Sequence, residues 1–242
     1  MKVQTKNIIE TFDSLDHENH ESLTHGATVN AIKELVLELD QKHFLERKVK
    51  FLLDIRGYLK LNNINGNYVE FGSYKSEMQY AAYEILNSTH TIDKYIGLDT
   101  FKGEPTLRMK DKVHSVHLQK EQFSASHEET EEFVKKYLGD SGFLIKGDFR
   151  HKRVMSKLDS FEDFNVVVID CNLLSSIEAA LDYIIPRTTP GGLIFIDDFY
   201  VNCSQGKLVT EKVFSKILKK HKKKASKHSF YAPFAHSFII TD

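Results

Sequence analysis

Phe164-Asn165-Val166-Val167-Val168-Ile169-Asp170-Cys171-Asn172 is followed, after a segment of helical pattern, by Pro190-Gly191-Gly192-Leu193-Ile194-Phe195-Ile196-Asp197-Asp198. These two runs decide the fold. Each is a short, continuous apolar stretch rich in β-branched residues, the pattern of a strand buried on both faces of a parallel sheet. Each also ends in carboxylates. Ligands of open α/β sheets sit beyond the carboxyl ends of the strands, so the runs predict a cation or metal site at that edge.

The same alternation extends upstream. Tyr68-Val69-Glu70-Phe71-Gly72, Tyr95-Ile96-Gly97-Leu98-Asp99 and Phe143-Leu144-Ile145-Lys146-Gly147-Asp148 read as three further strands. Helices are predicted over Tyr74–Leu86, from the capping box Ser126-His127-Glu128-Glu129 to Gly139, and over Arg150–Leu158. Two amphipathic helices come first, carried by Ile32, Leu35, Val36 and Leu39 and by Phe44, Val49, Leu52, Leu53 and Ile55. Downstream lie a helix over Lys207–Lys220 and two β-like runs, Ser229–Tyr231 and Ser237–Ile240, expected to pair antiparallel. Thr100–Ser124 reads as a long functional loop. The expected fold is α/β, a doubly wound and mostly parallel sheet with right-handed crossovers and antiparallel C-terminal edge strands. Residues 1–60 are expected to form a helical lid or cap, and residues 61–242 the main domain.

The bulk numbers fit one soluble globular protein of 242 residues, 41% hydrophobic and 28% charged. A net charge of −1 gives no drive toward nucleic acid or membrane. Cys171 and Cys203 are too few for a disulfide framework and lack zinc spacing. No signal peptide or spanning apolar run is evident, which predicts a cytoplasmic location. The run Lys219-Lys220-His221-Lys222-Lys223-Lys224 reads as a solvated helix end, since no aromatic residues interleave with it.

All five central strands run into a carboxylate: Glu70, Asp99, Asp148, Asp170 and Asp197-Asp198. Aspartates after strands also serve as helix caps and turn formers, and that reading stands beside the functional one. The first turn separates cofactor classes. A dinucleotide needs G-x-G-x-x-G so that amides can approach a pyrophosphate. Glu70-Phe71-Gly72-Ser73-Tyr74 offers one glycine and an acid, which repels phosphate and suits an ammonium or sulfonium group. S-adenosylmethionine carries both cations and no phosphate. Asp99 is placed for ribose hydroxyls and Asp148 for an adenine amino group. Asp170, Asp197 and Asp198 form an oxygen-rich set suited to magnesium or calcium, which would orient a substrate hydroxyl for methyl transfer. Single histidines in loops, and Cys171 without a partner base, carry no comparable signal.

With these residues placed, the chain resembles the macrocin O-methyltransferase family, class I S-adenosylmethionine-dependent enzymes with a Rossmann-like sheet that methylate sugar hydroxyls. The matching segments are Val69-Glu70-Phe71-Gly72, Gly97 through Pro105 (G-L-D-T-F-K-G-E-P), Phe123-Ser124-Ala125-Ser126, Lys146-Gly147-Asp148-Phe149, Ile169-Asp170-Cys171-Asn172-Leu173, and Pro190 through Phe199. The resemblance implies cofactor contacts from Glu70, Phe71, Gly72, Ser73, Asp99, Thr100, Gly147, Asp148, Phe149 and Asp170. It implies a magnesium ion on Asp170, Asp197 and Asp198, with Asp170 catalytic. It further implies a small-molecule acceptor bearing a sugar hydroxyl, and self-association. The family pattern D-x-D-x-Y reads Asp170-Cys171-Asn172-Leu173-Leu174 here. That departure keeps open a non-catalytic protein that binds S-adenosylmethionine or another nucleoside on the same fold. A nicotinamide-dependent oxidoreductase is disfavoured by the single-glycine turn.

Overall fold

The computed structural model describes residues 46–114, 123–201, 203–204 and 207–242. Expectations for residues 1–45, including the first amphipathic helix, lie outside the described residues. The described residues belong to one compact unit, Leu45–Asp242.

Seven strands form the sheet: β1 (Gly66–Phe71), β2 (Ile92–Asp99), β3 (Gly142–Lys146), β4 (Phe164–Ile169), β5 (Thr188–Ile196), β6 (Lys224–Tyr231) and β7 (Ala235–Thr241). Their order is β3-β2-β1-β4-β5-β7-β6. Neighbours are parallel from β3 to β5, and β7 runs antiparallel to both β5 and β6. The doubly wound sheet with an antiparallel C-terminal edge is therefore as the sequence predicts. The chain order reverses between β1 and β4, the switch point where such sheets bind ligands.

Alternation along the strands builds two cores. Val69, Phe71, Val167, Ile169, Ile194 and Ile196 face one side, where they pack with α6 (Leu174–Ile184) and α7 (Val209–Lys220). Tyr68, Val166, Val168, Leu193 and Phe195 face the other. There they meet α1 (residues 46–61), α2 (Glu77–Leu86) and α4 (His127–Leu138). Phe51, Leu52, Ile55 and Leu59 of α1 are fully buried, each adding about 1.5–3 kcal/mol of apolar burial. Residues 46–60, expected to belong to a cap, contribute this face of the main core.

Other boundaries moved for local reasons. Ser76 adopts left-handed backbone, φ 60°, so α2 starts at Glu77 and not at Tyr74. Pro190-Gly191-Gly192 lies inside β5 and not before it. The partner register steps from Phe164↔Thr188 to Val166↔Leu193 there, with Gly191 at φ 84°. The Thr100–Ser124 segment holds a short helix, α3 (Met109–His114), which periodicity did not show. The Arg150–Leu158 helix is only α5 (Lys152–Met155), continued by a 3-10 turn over Ser156–Ser160. Ser126 caps α4 as predicted, its hydroxyl accepting Glu129 N–H at 3.2 Å.

Candidate active site at the carboxyl edge of the sheet

The turn after β1 sets the first half of the edge. Gly72 has φ 93°, and a Cβ there would lie 2.0 Å from the Asp170 carbonyl oxygen. Only glycine fits so close to the β4 exit. The Gly72 and Ser73 amides both donate to Leu98 O, at 2.8 and 3.1 Å, which ties the turn to the β2 exit. Asp99 then accepts Tyr74 N–H at 2.9 Å on one oxygen and Phe101 N–H at 2.8 Å on the other. The Thr100 hydroxyl also lies 3.5 Å from the second oxygen; a carboxylate has about four acceptor positions, so Asp99 is fixed and keeps part of its acceptor capacity. Burial pushes its carboxyl up, and those amides work in the opposite direction.

Glu70 lies one residue before the strand end and is almost wholly buried, 1% exposed. Tyr68 donates to it at 3.1 Å. Burial, then the charge of Asp170, hold its carboxyl well above the usual range, against the pull of Lys48.

The remaining residues expected at the cofactor divide by role. Thr100 shapes its own loop, donating to Gly103 O at 2.8 Å and accepting Lys102 N–H at 3.1 Å. The Gly147 amide donates to Asp99 O at 2.8 Å. Phe71 and Phe149 stack edge to face at 5.3 Å within the core beneath the edge. Ser73 is buried in the turn. Asp148 is clasped by Arg150, whose Nε and Nη2 lie 2.9 and 2.7 Å from its two oxygens. Its burial would raise the carboxyl, and the Arg150 hydrogen bonds more than offset that. Arg150 was not singled out from the sequence.

The second half holds Asp170, Asp197 and Asp198 together after β4 and β5. Two cations from α1 enter it. Arg47 Nε and Nη2 grip Asp197 at 2.7 and 2.6 Å. Lys48 Nζ pairs with Asp170 and stands 3.9 Å from Asp197 Oδ2. Both cations are buried, at 6% and 9% exposure. Burial works against the charge of each. Asp197 and its neighbours restore it for Arg47, and Asp170 and Asp197 for Lys48, so both are raised above their ordinary values. Asp197 is held low by Arg47 and then Lys48, against its burial. Burial, followed by the charges of Asp197 and Asp170, pushes Asp198 up to about 7. Burial also pushes Asp170 up to about 6, against the pull of Lys48, so two cations face a cluster in which Asp197 alone is held low.

This arrangement does not fit the divalent ion expected at these residues. Magnesium needs about six oxygens at roughly 2.1 Å in near-octahedral geometry, but both Asp197 oxygens and one of Asp170 already face nitrogen donors. Among the described residues, no group of three His, Cys, Asp or Glu side chains is arranged to hold a metal.

The loop after β2 is latched over the β4 exit. Asn172 donates to Glu104 Oε1 at 2.6 Å. Asp111, fully buried, accepts the amide and hydroxyl of Ser175 at 2.8 and 2.7 Å. Arg150 reaches Thr106 O and Ser175 Oγ, both at 3.0 Å. Cys171, next to Asn172 in the chain, packs against the core. Its thiol is pushed far up by burial and then by Asp170, so a thiolate nucleophile is disfavoured.

This carboxyl-edge architecture is matched at the sequence level. The family model described as Macrocin-O-methyltransferase (TylF) matches residues 46–218. The chain belongs to the macrocin-O-methyltransferase family. It is an S-adenosylmethionine-dependent O-methyltransferase by that membership. The match begins on α1, at the residue before Arg47. No curated protein sequence matches the chain. Solved structures share this fold. The O-methyltransferase NovP is 17% identical over 81% of this chain and 80% of its own, with TM-score 0.67. CalS11, a calicheamicin methyltransferase, is 18% identical over 86% and 85%, with TM-score 0.60. A second structure of CalS11, named as a TDP-rhamnose 3′-O-methyltransferase, gives TM-score 0.54 at 17% identity. At this identity they speak for the fold. Among the described residues no helix is long and apolar enough to cross a membrane.

Proposed function

We propose that this member methylates a hydroxyl of a sugar, free or carried on a small molecule, with S-adenosylmethionine bound over β1 and β2 and the acceptor over β4 and β5. The observation that carries the reading is the division of one acidic edge into two differently prepared halves. Asp99 is amide-anchored with acceptor capacity left, whereas Asp170, Asp197 and Asp198 form a cation-balanced cluster. CalS11, which shares the fold, is named as acting on TDP-rhamnose, and an acid-lined cleft suits a polyhydroxylated acceptor.

The first half fits the cofactor. Gly72 lets the turn after β1 lie flush against the β4 exit, Asp99 would accept the ribose hydroxyls, and Glu70 would sit toward the amino group. S-adenosylmethionine supplies an electrophilic methyl group on a sulfonium. The protein's share is positional and electrostatic. Asp170 holds the acceptor hydroxyl and takes its proton as the oxygen–carbon bond forms and the sulfur–carbon bond breaks. The α1 cations keep the Asp170 carboxylate in place.

Isothermal titration of S-adenosylmethionine and its demethylated product into the protein tests the reading. Binding of both, at one site per chain and lost in Asp99→Ala, supports it. Absence of binding, or binding of a nicotinamide dinucleotide instead, would overturn it.

A further inference from the structure

We propose that Lys48 is a built-in cation that stands in for a divalent ion, so that this chain binds its acceptor and transfers methyl groups without metal. The proposal rests on the O-methyltransferase reading and specifies how the acceptor half of that site is charged.

The ε-ammonium of Lys48 lies against Asp170 and 3.9 Å from Asp197 Oδ2. That is the gap between two strand ends where a shared ion would have to sit. Its stem leaves α1 one turn before the fully buried Leu52, so the sheet-facing stripe of the helix fixes where the charge arrives. Arg47 occupies both oxygens of Asp197 in a planar fork, a geometry suited to a lasting carboxylate pair. A divalent ion would have to break the Lys48–Asp170 contact and strip that fork. It would also add two charges to a cluster that already holds two beside three carboxylates.

An ammonium can perform the positioning task. It has three donors, so one can stay on Asp170 while another meets the oxygen of an acceptor hydroxyl. That hydroxyl is then held between a donor on its oxygen and a carboxylate on its proton. The proton would pass to Asp170, an oxygen lone pair would bond the methyl carbon as the sulfur–carbon electron pair returns to sulfur, and the ammonium would keep its own proton throughout.

The test has two arms and a control. Wild-type protein is titrated with Mn2+ and followed by electron paramagnetic resonance, and methyl transfer is assayed with and without EDTA. No stoichiometric Mn2+ binding and EDTA-resistant transfer are expected. Lys48→Met keeps the apolar stem and removes the charge. It should bind Mn2+ tighter than wild type by on the order of tenfold or more, the effect of deleting a cation about 4 Å from the site. Stoichiometric Mn2+ binding to wild type, or EDTA-sensitive transfer, would overturn the proposal even if the variant fails to fold. A folded Lys48→Met that binds Mn2+ no better than wild type would overturn it as well. S-adenosylmethionine calorimetry on the same wild-type sample is the control. Cofactor binding together with Mn2+ binding sinks this inference alone, whereas loss of cofactor binding sinks the enzyme reading beneath it.

Discussion

Arg47 and Asp197 are 150 positions apart and meet in a two-pronged hydrogen bond of 2.7 and 2.6 Å inside the protein. The pair fastens the first described helix to the end of β5 at the carboxyl edge of the sheet. Removing one partner of a buried pair leaves an uncompensated charge and costs about 3–5 kcal/mol. Arg47→Met is therefore expected to lose about that much stability in urea unfolding. A loss below about 1 kcal/mol would place the pair among surface bridges of little weight.

Much of that edge was legible in the sequence, and the part that was missed has a physical reason. The strand ends at Asp99, Asp170 and Asp197-Asp198 follow from apolar runs with abrupt acidic ends. Arg47 and Lys48 were not read, because a cation at the start of an amphipathic helix is usually solvated. A signal was present. Positions 47, 51, 55 and 59, with 48 and 52 beside them, continue one stripe, and its apolar members are fully buried. A cation on a core-facing stripe must find an acid. The helix of Met109–His114 was missed for a different cause: the long-range latch of Asp111 onto Ser175, rather than any local period, holds this segment in place.

Asp198 links stability to pH. Its folded carboxyl is pushed up to about 7, by burial first and then by Asp197 and Asp170, against an unfolded value of about 3.9. Between these values the folded state holds a proton that the unfolded state has released, so stability is fullest below the unfolded value and falls as pH rises toward 7. Asp198→Asn keeps the shape without the charge. Its stability advantage over wild type should open from about pH 4, reach a few kcal/mol near pH 7 and stay level above. Thermal melts across that range measure it, and a gap that does not change with pH would contradict the account.

Gly72→Ala should be poorly tolerated. The new Cβ meets the Asp170 carbonyl at 2.0 Å from a backbone at φ 93°, so strain and displacement of Asp170 arise together. A loss on the order of 2–3 kcal/mol or more is expected in denaturant unfolding, with weakened cofactor binding. Unchanged stability would show that the turn can relax away from β4.

The latch gives a local prediction. Asp111→Ala removes the acceptor for the Ser175 amide and hydroxyl and the Arg108 amide. About 1–3 kcal/mol should be lost, and limited proteolysis should cut first between β2 and α3. Cleavage elsewhere, with that segment still protected, would show that the Asn172–Glu104 bond suffices to hold it.

Methyl transfer to a sugar hydroxyl would join the two halves of the edge in one reaction. Mass spectrometry of purified protein incubated with methyl-labelled S-adenosylmethionine and a panel of nucleotide-linked and glycosidic sugars tests it most directly. A labelled O-methyl sugar is expected, with Asp99→Asn weakening cofactor affinity by roughly tenfold or more and Asp170→Asn lowering turnover far more than that affinity. Cofactor bound at the site with no labelled sugar from any acceptor, or the reverse pattern in the two variants, would contradict it.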